Sequence, residues 1–381
     1  MKAVISSTGL WTPEESISNE ELVESFNEYV DIWNAKNSSA ISDGKKLELT
    51  HSDANFIEKA SGVKSRYTIS KKTILDPNIM APIIPARKNS EPSILAEIGY
   101  KAAQNALAKK NRSPKDIDAI ICACSNLQRG YPAIAIEIQS LLGAKGFAFD
   151  MNVACSSATF GIETARCLIN GGQAKTVLVI NPEICTAHLN FKDRDAHFIF
   201  GDVATATLIE SDEVSKKEYW EIISSKLITE FSNNIRNNFG FLNHCDPEDD
   251  GMKGDRGKKG LTDKLFVQNG RSVFKEVVPI VANMIIKECE KNNIQPGNLK
   301  RLWLHQANLS MNQLIAKKVL GKTFEKEKTP IVLDEYANTS SAGSIIAFHK
   351  YNSGFKNGDI GLICSFGAGY SAGAIFVRKN A

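Results

Sequence analysis

Apolar residues in this chain recur at two spacings, and the switch between them separates strands from helices. Phe147, Phe149, Met151 and Val153 alternate with their neighbours as along a strand. Directly afterwards Ala158, Ile162, Ala165 and Ile169 recur at three- and four-residue steps, which predicts a helix over 156–169 that stops at Gly171-Gly172. Ile94, Ile98, Ala102 and Ala106 keep a four-residue step and predict a second helix, about 93–110, ahead of a strand over 117–124. The stretches 176–180 and 361–365 are apolar with no alternation, the pattern of strands covered on both faces. Residues 1–6 read as an opening strand and not as a signal peptide, and a polar helix is expected over 20–30. Pro77, Pro82, Pro85 and Pro92 make 76–92 a loop or lid.

The order of elements repeats. Asn111-Arg112-Ser113-Pro114 is matched 182 residues on by Asn293-Ile294-Gln295-Pro296, and Asn126 by Asn308. Ala154-Cys155-Ser156-Ser157 is matched 183 residues on by Ala337-Asn338-Thr339-Ser340, and the strand 177–180 by 360–363. Landmarks that return in one order describe a duplicated α/β unit, which would bring Cys155 and Asn338 face to face across a pseudo-dyad. The polar stretch from His244 to Gly260 reads as an exposed loop.

Composition narrows the function. With 381 residues, 43% hydrophobic and 23% charged, the chain has the make-up of a globular protein with a large core. A net charge of +3, without a basic stripe interleaved with aromatic residues, argues against nucleic acid as a partner. No apolar run approaches a membrane span, so the protein reads as cytoplasmic. The eight cysteines are scattered, which points away from a disulfide framework, and Cys122 and Cys124 read as strand packing and not as a metal pair.

Cys155 is the exception. It falls where a strand turns into a helix, so unpaired N–H groups and the positive end of the helix dipole would face its sulfur and favour the thiolate. His305 follows the strand 302–304, Asn338 lies in the matching turn, and Ser365-Phe366-Gly367-Ala368-Gly369-Tyr370 supplies a strand end of small residues. A nucleophile, an imidazole, an amide and free backbone N–H groups are the parts needed for acyl transfer through a thioester.

On these motifs, together with Phe200-Gly201-Asp202 and Leu304-His305-Gln306-Ala307-Asn308, the chain resembles the β-ketoacyl-acyl-carrier-protein synthase III enzymes of the thiolase-like condensing superfamily. The resemblance implies a homodimer with a five-layered αβαβα fold in two pseudo-repeated halves. The first half, 1–215, would carry Cys155, with lid insertions about 31–55 and 75–92; the second, 216–381, would carry His305 and Asn338. It implies that Cys155 takes an acyl group from acyl-CoA, with the N–H groups of Cys155 and Ala368 as oxyanion hole. Malonyl-acyl-carrier protein then loses CO₂ while His305 and Asn338 stabilise the enolate, giving a 3-ketoacyl thioester for fatty acid biosynthesis, with no cofactor or metal. Tyr131 matches the family position that floors the partner's acyl pocket. Phe56, Arg194, Asn308, Phe366 and Gly367 are expected to bind substrate, Phe198 and Leu189 to line the acyl pocket, and Lys317 and Lys318 to meet the carrier.

Two departures stand out. Phe56 and Ala60 occupy positions where well-known members have a Trp and an Arg that clamp the adenine of CoA, and Ser310 stands where the family often has a basic residue. A related reaction, that of 3-hydroxy-3-methylglutaryl-CoA synthase or of head-to-head condensation, needs a glutamate in the segment before the nucleophile. Residues 124–129 contain no carboxylate, and Glu183 is assigned to structure. An acyltransferase or thioesterase using the same Cys-His-Asn set without condensation is the alternative of a different reaction class.

Overall fold

The computed structural model describes residues 1–215, 218–238 and 264–380. The stretch expected as an exposed loop, 244–260, lies outside the described residues, as does Cys245. The first part of the chain supplies β1 (Ala3–Trp11), the pair β2 (Glu15–Ser18) and β3 (Ser65–Thr68), then β4 (Ala119–Ala123), β5 (Phe147–Met151), β6 (Thr176–Ile184) and β7 (Asp202–Ser211). The second part supplies β8 (Tyr219–Thr229), the short pair β9 (Ile235–Asn237) and β10 (Phe266–Gln268), then β11 (Arg301–Leu304), β12 (Ile360–Gly367) and β13 (Ser371–Asn380). The helices are α1 (Asn19–Lys36), α2 (Ser38–Ser42), α3 (Ala54–Ser61), α4 (Lys71–Ile74), α5 (Ile94–Lys110), α6 (Ile134–Leu142) and α7 (Ser157–Asn170), followed by α8 (Gly270–Lys291), α9 (Leu309–Leu320), α10 (Leu333–Tyr336) and α11 (Gly343–Lys350).

Nine strands join in the order β11-β12-β13-β8-β1-β7-β6-β4-β5. Along β1 and β8 the two half-sheets pair through only Val4 opposite Glu221 and Ile5 opposite Trp220. Three apolar clusters then define the layers. α7 and α11 lie between the half-sheets, packing Ala158, Ile162, Ile345 and Phe348 against Val179 and Ile363. α5 and α6 cover the outer face of the first half through Leu95, Ile98 and Ile138 on Ile120 and Leu178. α8 and α9 cover the second through Val277, Val281 and Ile315 on Leu302 and Leu362. Helix, sheet, helix, sheet, helix is the five-layered thiolase-like arrangement expected.

The repeat extends to backbone conformation. Asn111, which closes α5, and Asn293, just beyond α8, both sit in the left-handed region, at φ +50° and +55°. Ala154 and Ala337 do the same at φ +45° and +53°. A fourth cluster caps the core on one side, where Leu22, Phe26 and Ile57 meet Phe191, Phe198 and Phe200. α1 runs to Lys36, further than the sequence pattern predicts, because beyond Val30 none of its residues is fully buried. Residues 75–92 contain no regular helix or strand, in keeping with their prolines. Among the described residues no helix is long and apolar enough to cross a membrane.

Candidate active site

The nucleophile turn is built from short polar ties. Asn152 donates to the Ser125 carbonyl and accepts from the Ala154 N–H at 2.9 Å, bending the chain out of β5 and through the left-handed Ala154. One tight turn, Ala154–Ser156, then leads into α7. The end of β12 passes against this turn so closely that a Cβ on Gly367 would come 2.6 Å from the Cβ of Cys155 and 2.9 Å from its sulfur. That approach is what requires glycine there. It also brings the backbone N–H of Ala368 to the sulfur, beside the N–H of Cys155 itself.

The expectation of a thiolate favoured at rest is not met. Burial is the largest influence and pushes the Cys155 thiol up to about 11. The Ser340 hydroxyl, 3.4 Å from the sulfur, and the two N–H groups pull the other way, while the negative charge of Glu183 adds to the rise. A helix start lowers a cysteine pKa where water reaches it; here the enclosure of the sulfur dominates.

His305 leaves β11 with its N–H bonded to the Cys364 carbonyl at 2.8 Å, and its ring meets Phe366 edge-on at 5.3 Å. It is 2% exposed. Burial lowers its pKa to about 4 against a backbone hydrogen bond with Ser340, so the ring is neutral. Asn338 follows the left-handed Ala337, pairs with Phe200 in an isolated bridge, and donates its N–H to the Ile199 carbonyl. Its Oδ1 accepts the Ser340 N–H at 2.9 Å, which leaves the amide NH₂ for the cavity. The Phe-Gly-Asp motif explains this placement. A side chain at Gly201 would collide with the Tyr336 carbonyl, and Asp202 accepts from Thr186 and the Ile69 N–H.

Cys155, His305, Asn338, Phe366 and Gly367 line one cavity of about 350 Å³ whose other walls include Phe56, Ala60, Phe198 and Asn308. Arg194 stacks over Phe56 at 4.8 Å and donates to the His51 carbonyl, so these two expected substrate groups meet near the cavity. Asn308 contributes wall, but its amide is committed elsewhere. It caps α9 through the N–H groups of Ser310 and Met311 and donates to the Ala60 carbonyl at 2.8 Å. Leu189, expected in the acyl pocket, is buried instead in the cap, on neither cavity wall beside Cys155. Tyr131 is 89% exposed and does not touch its own protomer's cavities at Cys155. Lys317 and Lys318 are exposed on α9, the helix that Asn308 starts at the cavity wall.

Three contributors escape the sequence pattern. Ser340 donates to the nucleophile, a role hinted at only by its place in the repeat. Glu183, read as structural, takes the N–H and hydroxyl of both Ser125 and Ser341, knotting the loop after β4 to the turn after Asn338. The β9–β10 pair walls the cavity with Ile235 and Phe266; strands of three residues separated by a long polar stretch leave no periodicity to read.

The chain is similar to known proteins of one family. Residues 149–230 match the family described as 3-oxoacyl-[acyl-carrier-protein (ACP)] synthase III, and 289–379 match its C-terminal part. The beta-ketodecanoyl-[acyl-carrier-protein] synthase of Pseudomonas aeruginosa is 53% identical over 94% of this chain and 100% of its own length. The beta-ketoacyl-[acyl-carrier-protein] synthase III of Granulibacter bethesdensis is 28% identical over 99% of both chains. The crystal structure of the 3-oxoacyl-[acyl-carrier-protein] synthase III of Aquifex aeolicus has the same fold, with a TM-score of 0.74 over 99% of both chains at 24% identity.

Proposed function

We propose specific roles for the residues of this chain, which belongs to the 3-oxoacyl-[acyl-carrier-protein] synthase III family and is a condensing acyltransferase of fatty acid biosynthesis. Cys155 attacks the carbonyl carbon of an acyl-CoA. The new oxyanion takes hydrogen bonds from the N–H groups of Cys155 and Ala368, which already face the sulfur. The C–S bond to CoA breaks, and the thiol proton leaves with the CoA sulfur by way of neutral His305. In the second half, malonyl-acyl-carrier protein loses CO₂ and the electron pair moves onto its thioester oxygen, where Asn338 and His305 hydrogen-bond the enolate. The carbanion carbon then attacks the acyl-cysteine and releases Cys155. The observation that carries this assignment is the orientation of Asn338. With Oδ1 held by the Ser340 N–H, its NH₂ donors remain for developing negative charge in the cavity shared with Cys155 and His305.

The primer is medium-chain. A 53% identical relative is named for a ketodecanoyl product, which two carbons from malonate make from an eight-carbon acyl group. Phe56 and Arg194 hold the nucleotide end of CoA, and Phe366 and Gly367 face its thioester. Lys317 and Lys318 meet the acidic carrier protein beside the cavity. The chain works as a cytoplasmic homodimer. β5 ends the sheet with an unpaired edge, and Phe147, Ile136 and Tyr131 are large apolar residues exposed on and around it.

Intact-protein mass spectrometry with acetyl- to decanoyl-CoA tests the assignment. The expected result is an acyl adduct on wild type but not on Cys155→Ala, fastest with octanoyl-CoA, and CO₂ release when malonyl-carrier protein follows. Adducts that hydrolyse without CO₂ release would mean acyl transfer without condensation.

A further inference from the structure

Cys155 belongs to two cavities. Besides the 350 Å³ space that reaches Phe56 and Ala60, it borders a second of about 80 Å³, walled by Cys185, Phe200, Ile235 and Ala368. Ala368, whose N–H is one of the two donors at the sulfur, lines only this smaller of the two spaces. An apolar cavity of about 150 Å³ accepts benzene, or roughly 25 Å³ per carbon. On that scale about 80 Å³ takes three carbons, while eight need about 200 Å³. The chamber at Cys155 is therefore too small for the chain length proposed above.

A third cavity lies beyond it. Asn126 and His188 line both the 80 Å³ chamber and a pocket of about 340 Å³ whose walls include Ile84, Ile94, Leu95, Leu127, Ile184 and Ala187. Its roof comes from the proline-rich segment ahead of α5, and that roof is pinned. The Ile83 N–H is bonded to Ser70 and Thr73, and Arg87 donates to the Pro92 carbonyl. The Arg87 guanidinium also pairs with Glu97 at 2.7 Å, so the charge at the pocket's edge is already answered. At the junction, Asn126 donates to the Ser125 hydroxyl and the His188 ring meets the amide of Asn237, on β9, at 2.9 Å, so a chain passing between them must part side-chain contacts.

We propose that this pocket is the distal acyl site. The primer's alkyl chain runs from Cys155 through the small chamber, between Asn126 and His188, and ends under the roof of residues 84–87. The inference rests on the medium-chain reading and names the residues that set chain length.

Ala187 is exposed on the pocket wall, so Ala187→Trp fills the pocket with little risk to folding. Leu127→Trp does so from the opposite element. The expected result is that octanoyl loading of Cys155 falls at least tenfold in both, while acetyl loading stays within twofold of wild type. Equal effects on both chain lengths, or none, would overturn the proposal. So would dissociation of the dimer in size-exclusion chromatography, which would make the pocket a subunit contact. Failure of wild type to load octanoyl-CoA would count against the medium-chain primer, not the pocket. Calorimetric binding of free decanoate decides the pocket independently: it should persist in Cys155→Ala and be lost in Ala187→Trp, and persistence in Ala187→Trp would refute the site.

Discussion

Gly367 and Cys155 come from the two halves of the fold and lie closer than any side chain at 367 would allow, with 2.6 Å between a Cβ built on Gly367 and the Cβ of Cys155. The contact joins the strand end that carries the Ala368 N–H to the turn that carries the nucleophile. Separating the two would separate the sulfur from one of its oxyanion donors.

Gly367→Ala should therefore act on chemistry more than on folding. Overpacking at one position costs about 1–3 kcal/mol, which a core of this size tolerates. Acyl loading of Cys155 should fall by about two orders of magnitude, the cost of losing one oxyanion donor. Mass-spectrometric loading rates alongside urea denaturation check both. Loss of stability with undiminished loading would show that the close approach does not position the donor.

Asn338→Asp keeps the oxygen that accepts the Ser340 N–H and removes the NH₂ donors. If those donors serve the enolate, CO₂ release from malonyl-carrier protein should drop by about 10²–10³, while octanoyl transfer to Cys155 stays within a few-fold. His305→Ala should behave alike in the second half-reaction. A parallel loss of both half-reactions in Asn338→Asp would make Asn338 a structural residue of its turn.

Much of this site was legible in residue order, for particular reasons. The apolar period changes from two to 3.6 at Cys155, and Ala154-Cys155 returns as Ala337-Asn338, with a positive φ of +45° and +53° at the two alanines. What stayed hidden depends on the third dimension. The 340 Å³ cavity arises where the 84–87 loop, the loop after β4 and the end of β6 converge, the 80 Å³ cavity where the loop after β4 meets the nucleophile turn and the β9–β10 pair, and no spacing encodes their sizes. The resting state of Cys155 is not legible there, because a local pattern reveals the helix start but not the enclosure that outweighs it.

Glu183 links that enclosure to pH. Its buried carboxyl is pushed up to about 7 by burial, and its negative charge raises the Cys155 pKa. Glu183→Gln removes the charge, so the midpoint of Cys155 alkylation by iodoacetamide should move to lower pH than in wild type. An amide NH₂ among donors from Ser125 and Ser341 should also cost about 1–3 kcal/mol of stability. An unchanged or higher midpoint in folded protein would exclude electrostatic coupling between the two groups.

His197 should govern part of the acid sensitivity. Its ring stacks on Phe26 at 4.5 Å, and burial lowers its pKa from 6.5 to about 4. Between those values the unfolded chain binds a proton that the folded chain does not, so this histidine's contribution to stability is lost as pH falls from 6.5 towards 4. His197→Phe removes that linkage. Relative to wild type, the variant should gain stability across that window and gain nothing above pH 7, as read from urea midpoints. A constant difference at all pH values would mean that His197 is not held neutral.

The mouth of the cavity offers the last prediction. Phe56 and Ala60 are one helical turn apart on α3, so they share a face, and Arg194 already stacks on Phe56 at 4.8 Å. Family members that clamp adenine have an Arg at the position of Ala60, which here is exposed beside the cavity. Ala60→Arg would restore a second cation without disturbing the Asn308 contact, which uses only the Ala60 carbonyl. KM for octanoyl-CoA should fall several-fold, with the gain shrinking at high salt because the charges are exposed. KM for octanoyl-pantetheine, which lacks the nucleotide, should stay unchanged. An equal gain with both substrates would place the new arginine on the acyl path, and no gain with either would mean that the nucleotide lies away from Phe56 and Arg194.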